Sequence, residues 1–126
     1  MGIDALTLAD IFAEIGHVYV TNKDYVHMHF YTGDGTIADR LATTLNARIV
    51  PHMQVFDVVI SKRAVLATAC RKIMRDPLPE EQKRLLTLVL RYCEAAPNDR
   101  QGIVLEIRRH LLTLRSLTDD PPCDET

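Results

Sequence analysis

Cysteine is scarce: Cys70, Cys93 and Cys123 are widely spaced and odd in number. That pattern fits neither a disulfide framework nor a paired CxxC metal site, and a reducing cytoplasm is the expected setting. Positive charge is not in excess, because 15 Lys and Arg face 17 Asp and Glu for a formal net charge of -2. No global field draws such a chain to a phosphate backbone or an anionic membrane, so any nucleic-acid contact must be local. No run reaches the roughly 18 apolar residues of a spanning helix, and Asp4 and Asp10 stand where a signal peptide carries positive charge. The expectation is a cytoplasmic protein with no membrane partner and no small-molecule cofactor.

The 126 residues are 47% hydrophobic and 25% charged, the balance of an ordinary globular domain and not of a disordered chain. One core is expected over residues 1–117. Residues 118–126 carry Asp119, Asp120, Asp124 and Glu125 with two prolines and are expected to form a disordered acidic tail.

Periodicity divides the chain into nine elements. Leu8, Ile11, Phe12 and Ile15 fall at helical spacing in a segment from Leu6 that ends at Gly16. Val18 and Val20, then Val26, Met28 and Phe30, alternate with polar residues around the turn Thr21-Asn22-Lys23-Asp24, which predicts a hairpin. Thr36 is expected to cap a second helix carrying Ile37, Leu41 and Leu45. Two further extended stretches, 48–53 and 55–60, lead into a third helix with Leu66, Ala69, Cys70 and Ile73. Glu80 and Glu81 open a fourth helix after Pro79, and Asn98 or Asp99 is expected to cap a fifth, with Arg100, Arg108, Arg109 and Arg115 mostly turned outward. The predicted order is αββαββααα, an α+β fold in which helices cover one face of a four-stranded antiparallel sheet.

If Val26, Met28 and Phe30 face the core, the opposite face presents His17, Tyr19, Tyr25, His27, His29, Tyr31, Arg48, Val50, His52, Val55, Asp57 and Val59. That face is aromatic and rich in histidine but poor in cations. The H-x-H pair of His27 and His29 points one way from a strand, yet no Cys or carboxylate cluster completes a metal site around it. Cys70 and Cys93 fall on apolar helix faces and are expected to be small core residues, not nucleophiles.

The element order resembles the single-motif LAGLIDADG homing endonucleases over roughly Leu6 to Tyr92. Leu8-Ala9-Asp10-Ile11-Phe12-Ala13-Glu14-Ile15-Gly16 lies over the nine-residue motif, and His17-Val18-Tyr19-Val20 over the strand that follows it. Pro79 to Leu85, with Gln82, resembles the family's Gln-containing helix. The resemblance implies double-stranded DNA as partner, bound over the open sheet by His17, Tyr19, Lys23, Tyr25, His27, His29, Tyr31, Arg48 and His52. It implies a homodimer through Ala9, Phe12 and Ala13, and Mg²⁺-dependent double-strand cleavage by an acid just before the motif's last glycine.

Two registers place different residues in that acid's seat. Without a gap the seat holds Ile15, which cannot ligate a hard cation, and Asp10 and Glu14 occupy the small-residue positions of the helix contact. Slipped by one, Ala9 and Ala13 take the small positions and Glu14 becomes catalytic acid and metal ligand, provided the helix end widens locally, by a π-type bulge or a displaced turn. A second function follows from the losses and the cation-poor face: a catalytically degenerate LAGLIDADG-like module that binds a protein or a folded RNA.

Overall fold

The computed structural model describes residues 6–117, with side chains as far as Leu114. The helices are α1 (Leu8–Ile15), α2 (Gly35–Leu45), α3 (Arg63–Ile73), α4 (Glu80–Glu94) and α5 (Pro97–Leu117). The strands are β1 (Gly16–Val20), β2 (Val26–Thr32), β3 (Arg48–His52) and β4 (Val55–Ile60), so the chain order is the αββαββααα read from periodicity. The acidic segment 118–126, Cys123, Asp4 and the Arg115 side chain lie outside the described residues.

Local chemistry sets the boundaries, and in three places moves them. Thr7 caps α1: its hydroxyl accepts from the Asp10 N–H at 3.0 Å, and the Asp10 carboxylate accepts from the Thr7 N–H at 3.1 Å. This reciprocal box starts the helix two residues after Leu6. Asp34, and not Thr36, caps α2, its Oδ1 accepting from the N–H groups of Thr36 and Ile37 at 2.8 and 3.3 Å. A carboxylate is favoured there because the helix N-terminus is the positive end of the dipole. α5 begins at Pro97, ahead of Asn98 and Asp99, since proline suits a first turn whose N–H groups have no helical partner.

The sheet runs β1-β2-β4-β3, every neighbouring pair antiparallel. β2 and β4, from different hairpins, therefore form its centre. Val18, Val26, Met28, Phe30, Val58 and Ile60 are buried on one face, and Ile11, Phe12, Leu41, Leu45, Leu66 and Leu86 meet them from the helices in one continuous core. Phe12 approaches Phe30 edge-on, with centroids 6.0 Å apart, the arrangement favoured by the ring quadrupole. Cys70 is fully buried within the same core.

The arginines expected to face outward divide. Arg109 is exposed, whereas Arg108 turns back to the β1–β2 hairpin and donates to the Thr21 carbonyl at 3.0 Å and to Asp24 Oδ1 at 2.6 Å. Arg100 Nε donates to the Ala95 carbonyl at 3.2 Å. Asp24 itself adopts φ 65°, and the guanidinium thus ties a tight turn to the last helix. Among the described residues no helix is long and apolar enough to cross a membrane.

Candidate nucleic-acid interface

With Val18, Met28 and Phe30 inward, strand alternation sends His17, Tyr19, His27, His29 and Tyr31 to the opposite face. Register then makes them neighbours: His17 lies across from His29, Tyr19 from His27 and Tyr31 from Asp57. The rings form a connected set. His29 stacks on Tyr31 with centroids 5.8 Å apart and planes 17° apart, and it lies 6.0 Å from His27. Tyr19 meets His29 edge-on at 6.1 Å, while His17 lies 5.8 Å from Tyr31. Tyr19 and Tyr31 are 55% and 47% exposed, so the cluster is a surface and not a second core.

At its centre is a pair that strand alternation alone does not show. His29 Nδ1 lies 2.9 Å from Asp57 Oδ1 and 3.1 Å from Oδ2. β4 was expected to present Asp57 and Val59 to solvent, but both are 7% exposed, because β4 is an inner strand and its neighbours' long side chains close over it. A buried carboxylate requires such a partner. The signal in the sequence was weak: a His and an Asp 28 positions apart meet only once β2 is known to lie beside β4.

Charge on the face follows from this crowding. Burial, then the neighbouring His29, then Arg48 hold the His27 imidazole below its ordinary pKa. Tyr31 is pushed above the usual phenol value by burial first, then by the Asp57 carboxylate and Tyr19. The cations sit at the margins. Lys23 and Tyr25 belong to the exposed end of the β1–β2 hairpin, and His52 to the exposed end of β3. Arg48 shares a hollow of ≈ 540 Å³ with Lys62, Asn46 and Ser61 beside the start of α3, so the fold brings together two cations 14 positions apart in sequence.

α1 departs from the expected dimer contact. Ala9 and Phe12 are each 1% exposed within the chain's own core, and of the three expected interface residues only Ala13 is exposed. The helix buries its apolar stripe of Ala9, Ile11 and Phe12 and leaves Asp10, Ala13 and Glu14 outside. Its end is regular: the Gly16 N–H bonds the Phe12 carbonyl four residues back. The helix end therefore carries no π-type bulge, and the strand begins directly at Gly16.

Glu14, His17 and Gln82 line one hollow of ≈ 560 Å³ between α1, β1, α4 and α5. Gln82 Oε1 is buried there without a partner. A Mg²⁺ site needs near-octahedral oxygen donors, commonly one or two carboxylates completed by water and phosphate. Here the protomer supplies one exposed carboxylate beside one amide oxygen. No group of three His, Cys, Asp or Glu among the described residues is placed to hold a metal. One carboxylate per protomer is the lower limit for a Mg²⁺ site, whose remaining positions water and phosphate would have to fill. Burial raises the Cys70 and Cys93 thiols above the usual range, Cys93 to about 11, which disfavours the thiolate in both.

No family model matches this chain, and no curated protein matches it in sequence. Solved structures match it in fold. The homing endonuclease I-CvuI, in complex with the I-CreI target and magnesium with its DNA uncleaved, superposes with a TM-score of 0.65 at 15% identity. That match covers 91% of this chain and 82% of the other. The LAGLIDADG meganuclease I-AabMI, bound to uncleaved DNA, gives 0.57 at 13% identity over 69% of this chain. The present chain spans 35% of that meganuclease. The fold is therefore the α+β fold of the LAGLIDADG homing endonucleases.

Proposed function

We propose that this protein binds duplex DNA across the open face of its sheet and does not cleave it as a single chain. The observation that carries the reading is the connected surface of His17, Tyr19, His27, His29 and Tyr31 on the uncovered face. Imidazole and phenol groups offer both donors and acceptors to base edges and sugars, while flanking cations hold the backbone. Lys23, Arg48, Lys62 and Arg63 are exposed at the margins of the face and serve that second role. The two fold relatives named above were both solved on DNA.

Cleavage and an α1-paired homodimer are not part of this proposal. In the gapless register Ile15 stands where the resemblance requires an acid, and among the described residues Glu14 is the one carboxylate that lines the hollow beside it. A symmetric copy packed on α1 would bring Asp10 and Glu14 against their own images, and like charges at a desolvated contact oppose association. A cytoplasmic setting belongs to the proposal.

Fluorescence anisotropy with a labelled duplex of random sequence, titrated at several salt concentrations, tests the reading. Four phosphate contacts should give a slope of log affinity against log salt of about −3 to −4. Replacing Tyr19 and Tyr31 together by Ala should weaken binding sharply while leaving the fold intact, because both are exposed. A wild-type protein with no measurable duplex affinity would instead assign the face to a protein or a folded RNA.

A further inference from the structure

Most polar groups on the open face are free to rotate or exchange roles, but His29 is not. A carboxylate only accepts hydrogen bonds, and both oxygens of Asp57 lie within 3.1 Å of His29 Nδ1. Nδ1 therefore carries the ring proton, and in the neutral ring Nε2 is a lone-pair acceptor. The ring cannot easily turn: Tyr31 stacks on one side, Tyr19 meets it edge-on and His27 lies 6.0 Å away. Among the described residues the buried side-chain polar atom without a partner is Gln82 Oε1. His29 Nε2 makes no hydrogen bond among the described residues and is not one of the buried unpartnered atoms, so it keeps access to solvent on a side chain that is 16% exposed.

We propose that His29 is a base-discriminating residue, held by Asp57 as a hydrogen-bond acceptor that selects the exocyclic amino group of adenine or cytosine in the major groove. This rests on the DNA-binding reading above and adds a rule to it. Adenine N6 and cytosine N4 are donors at the groove edge, whereas guanine offers N7 and O6, and thymine O4, all acceptors. A lone pair on Nε2 pairs with the first two and is repelled by the others. Asp57 positions the ring and does not touch the DNA.

The rule reverses when the tautomer reverses. Asn in place of an Asp behind a histidine leaves the geometry in place and supplies the wrong tautomer, as in the serine-protease triad. In Asp57→Asn the new amide donates to Nδ1, and Nε2 becomes an N–H donor suited to guanine N7 or O6 or to thymine O4.

The test is selection of bound duplexes from a randomised DNA library at pH 8, above the histidine range, by wild type and Asp57→Asn, with ¹⁵N spectra of the free proteins. Wild type should enrich adenine or cytosine at one position by roughly tenfold, and its His29 should show the Nδ1–H tautomer. Asp57→Asn should show the Nε2–H tautomer and enrich guanine or thymine at that same position, with the preferences at the other positions unchanged. If both proteins select the same bases, or wild-type His29 carries its proton on Nε2, the tautomer rule is wrong and DNA binding stands. If neither protein retains any library member, the DNA reading and the rule fall together.

Discussion

A Cβ placed on Gly16 would run into Cδ1 of the Phe12 ring. Gly16 has φ −86° and ψ 144°, a conformation open to any residue, so glycine is needed for space and not for backbone freedom. The helix-to-strand junction turns on that contact, because Phe12 fills the core beneath β2. Gly16→Ala must push aside a ring with nowhere to go, and overpacking of this kind costs about 1 to 3 kcal/mol or more. Urea denaturation should show the loss as a lower midpoint, and Phe12→Leu in the same chain should recover part of it.

His29→Leu should destabilise more than its size suggests. It leaves the Asp57 carboxylate, 7% exposed, without its partner, and breaking a buried pair in this way costs about 3 to 5 kcal/mol. The double variant His29→Leu/Asp57→Leu should be far less damaging, since two apolar groups on adjacent strands satisfy each other. A thermodynamic cycle over the four proteins measures the difference; equal losses in the single and double variants would remove the pair from the account.

Acid should weaken the fold through His27. Its folded-state pKa lies below the ordinary 6.5, with burial the main cause and His29 and Arg48 adding to it. The unfolded chain then binds the proton first as pH falls, so this group leaves stability unchanged well above 6.5 and subtracts from it below. His27→Gln should flatten the decline between pH 7 and 5 relative to wild type. Arg48→Met should raise the His27 titration midpoint in an NMR titration.

Arg108→Ala should loosen the β1–β2 turn from α5. The guanidinium holds both the Thr21 carbonyl and Asp24, but its side chain is 40% exposed, so solvent screening limits the loss to about 1 kcal/mol. Hydrogen exchange at the turn amides should quicken before exchange in the core strands changes.

Self-association should respond to Glu14. The Asp10 carboxylate is engaged with the Thr7 N–H, whereas Glu14 is exposed on the outer side of α1. Glu14→Gln removes one charge per copy from that surface and should raise any weak dimerisation seen by sedimentation. Incubation of supercoiled plasmid with wild type and Mg²⁺ should leave it uncut; cutting by wild type that is lost in Glu14→Gln would restore the nuclease reading.

Element order was readable because each element has its own period. The alternation at Val26, Met28 and Phe30 named the core side of β2, and thereby the opposite side that carries His27, His29 and Tyr31. The same local patterns misplaced the cap of α2, where Asp34 and Thr36 both suit the role and only geometry selects one. They also offered Ala9 and Ala13 as a pair, since spacing records that two residues share a helix side without saying which side the core takes.

The sequence by itself determined the helices, the hairpins and the polar composition of the open face, all of which depend on residues a few positions apart. Only the tertiary structure decided that β2 lies beside β4. From that one adjacency follow the burial of Asp57, its grip on His29 and the fixed direction of an imidazole proton. Such contacts join positions whose separation carries no period, and they exist because the two hairpins share a single core beneath them.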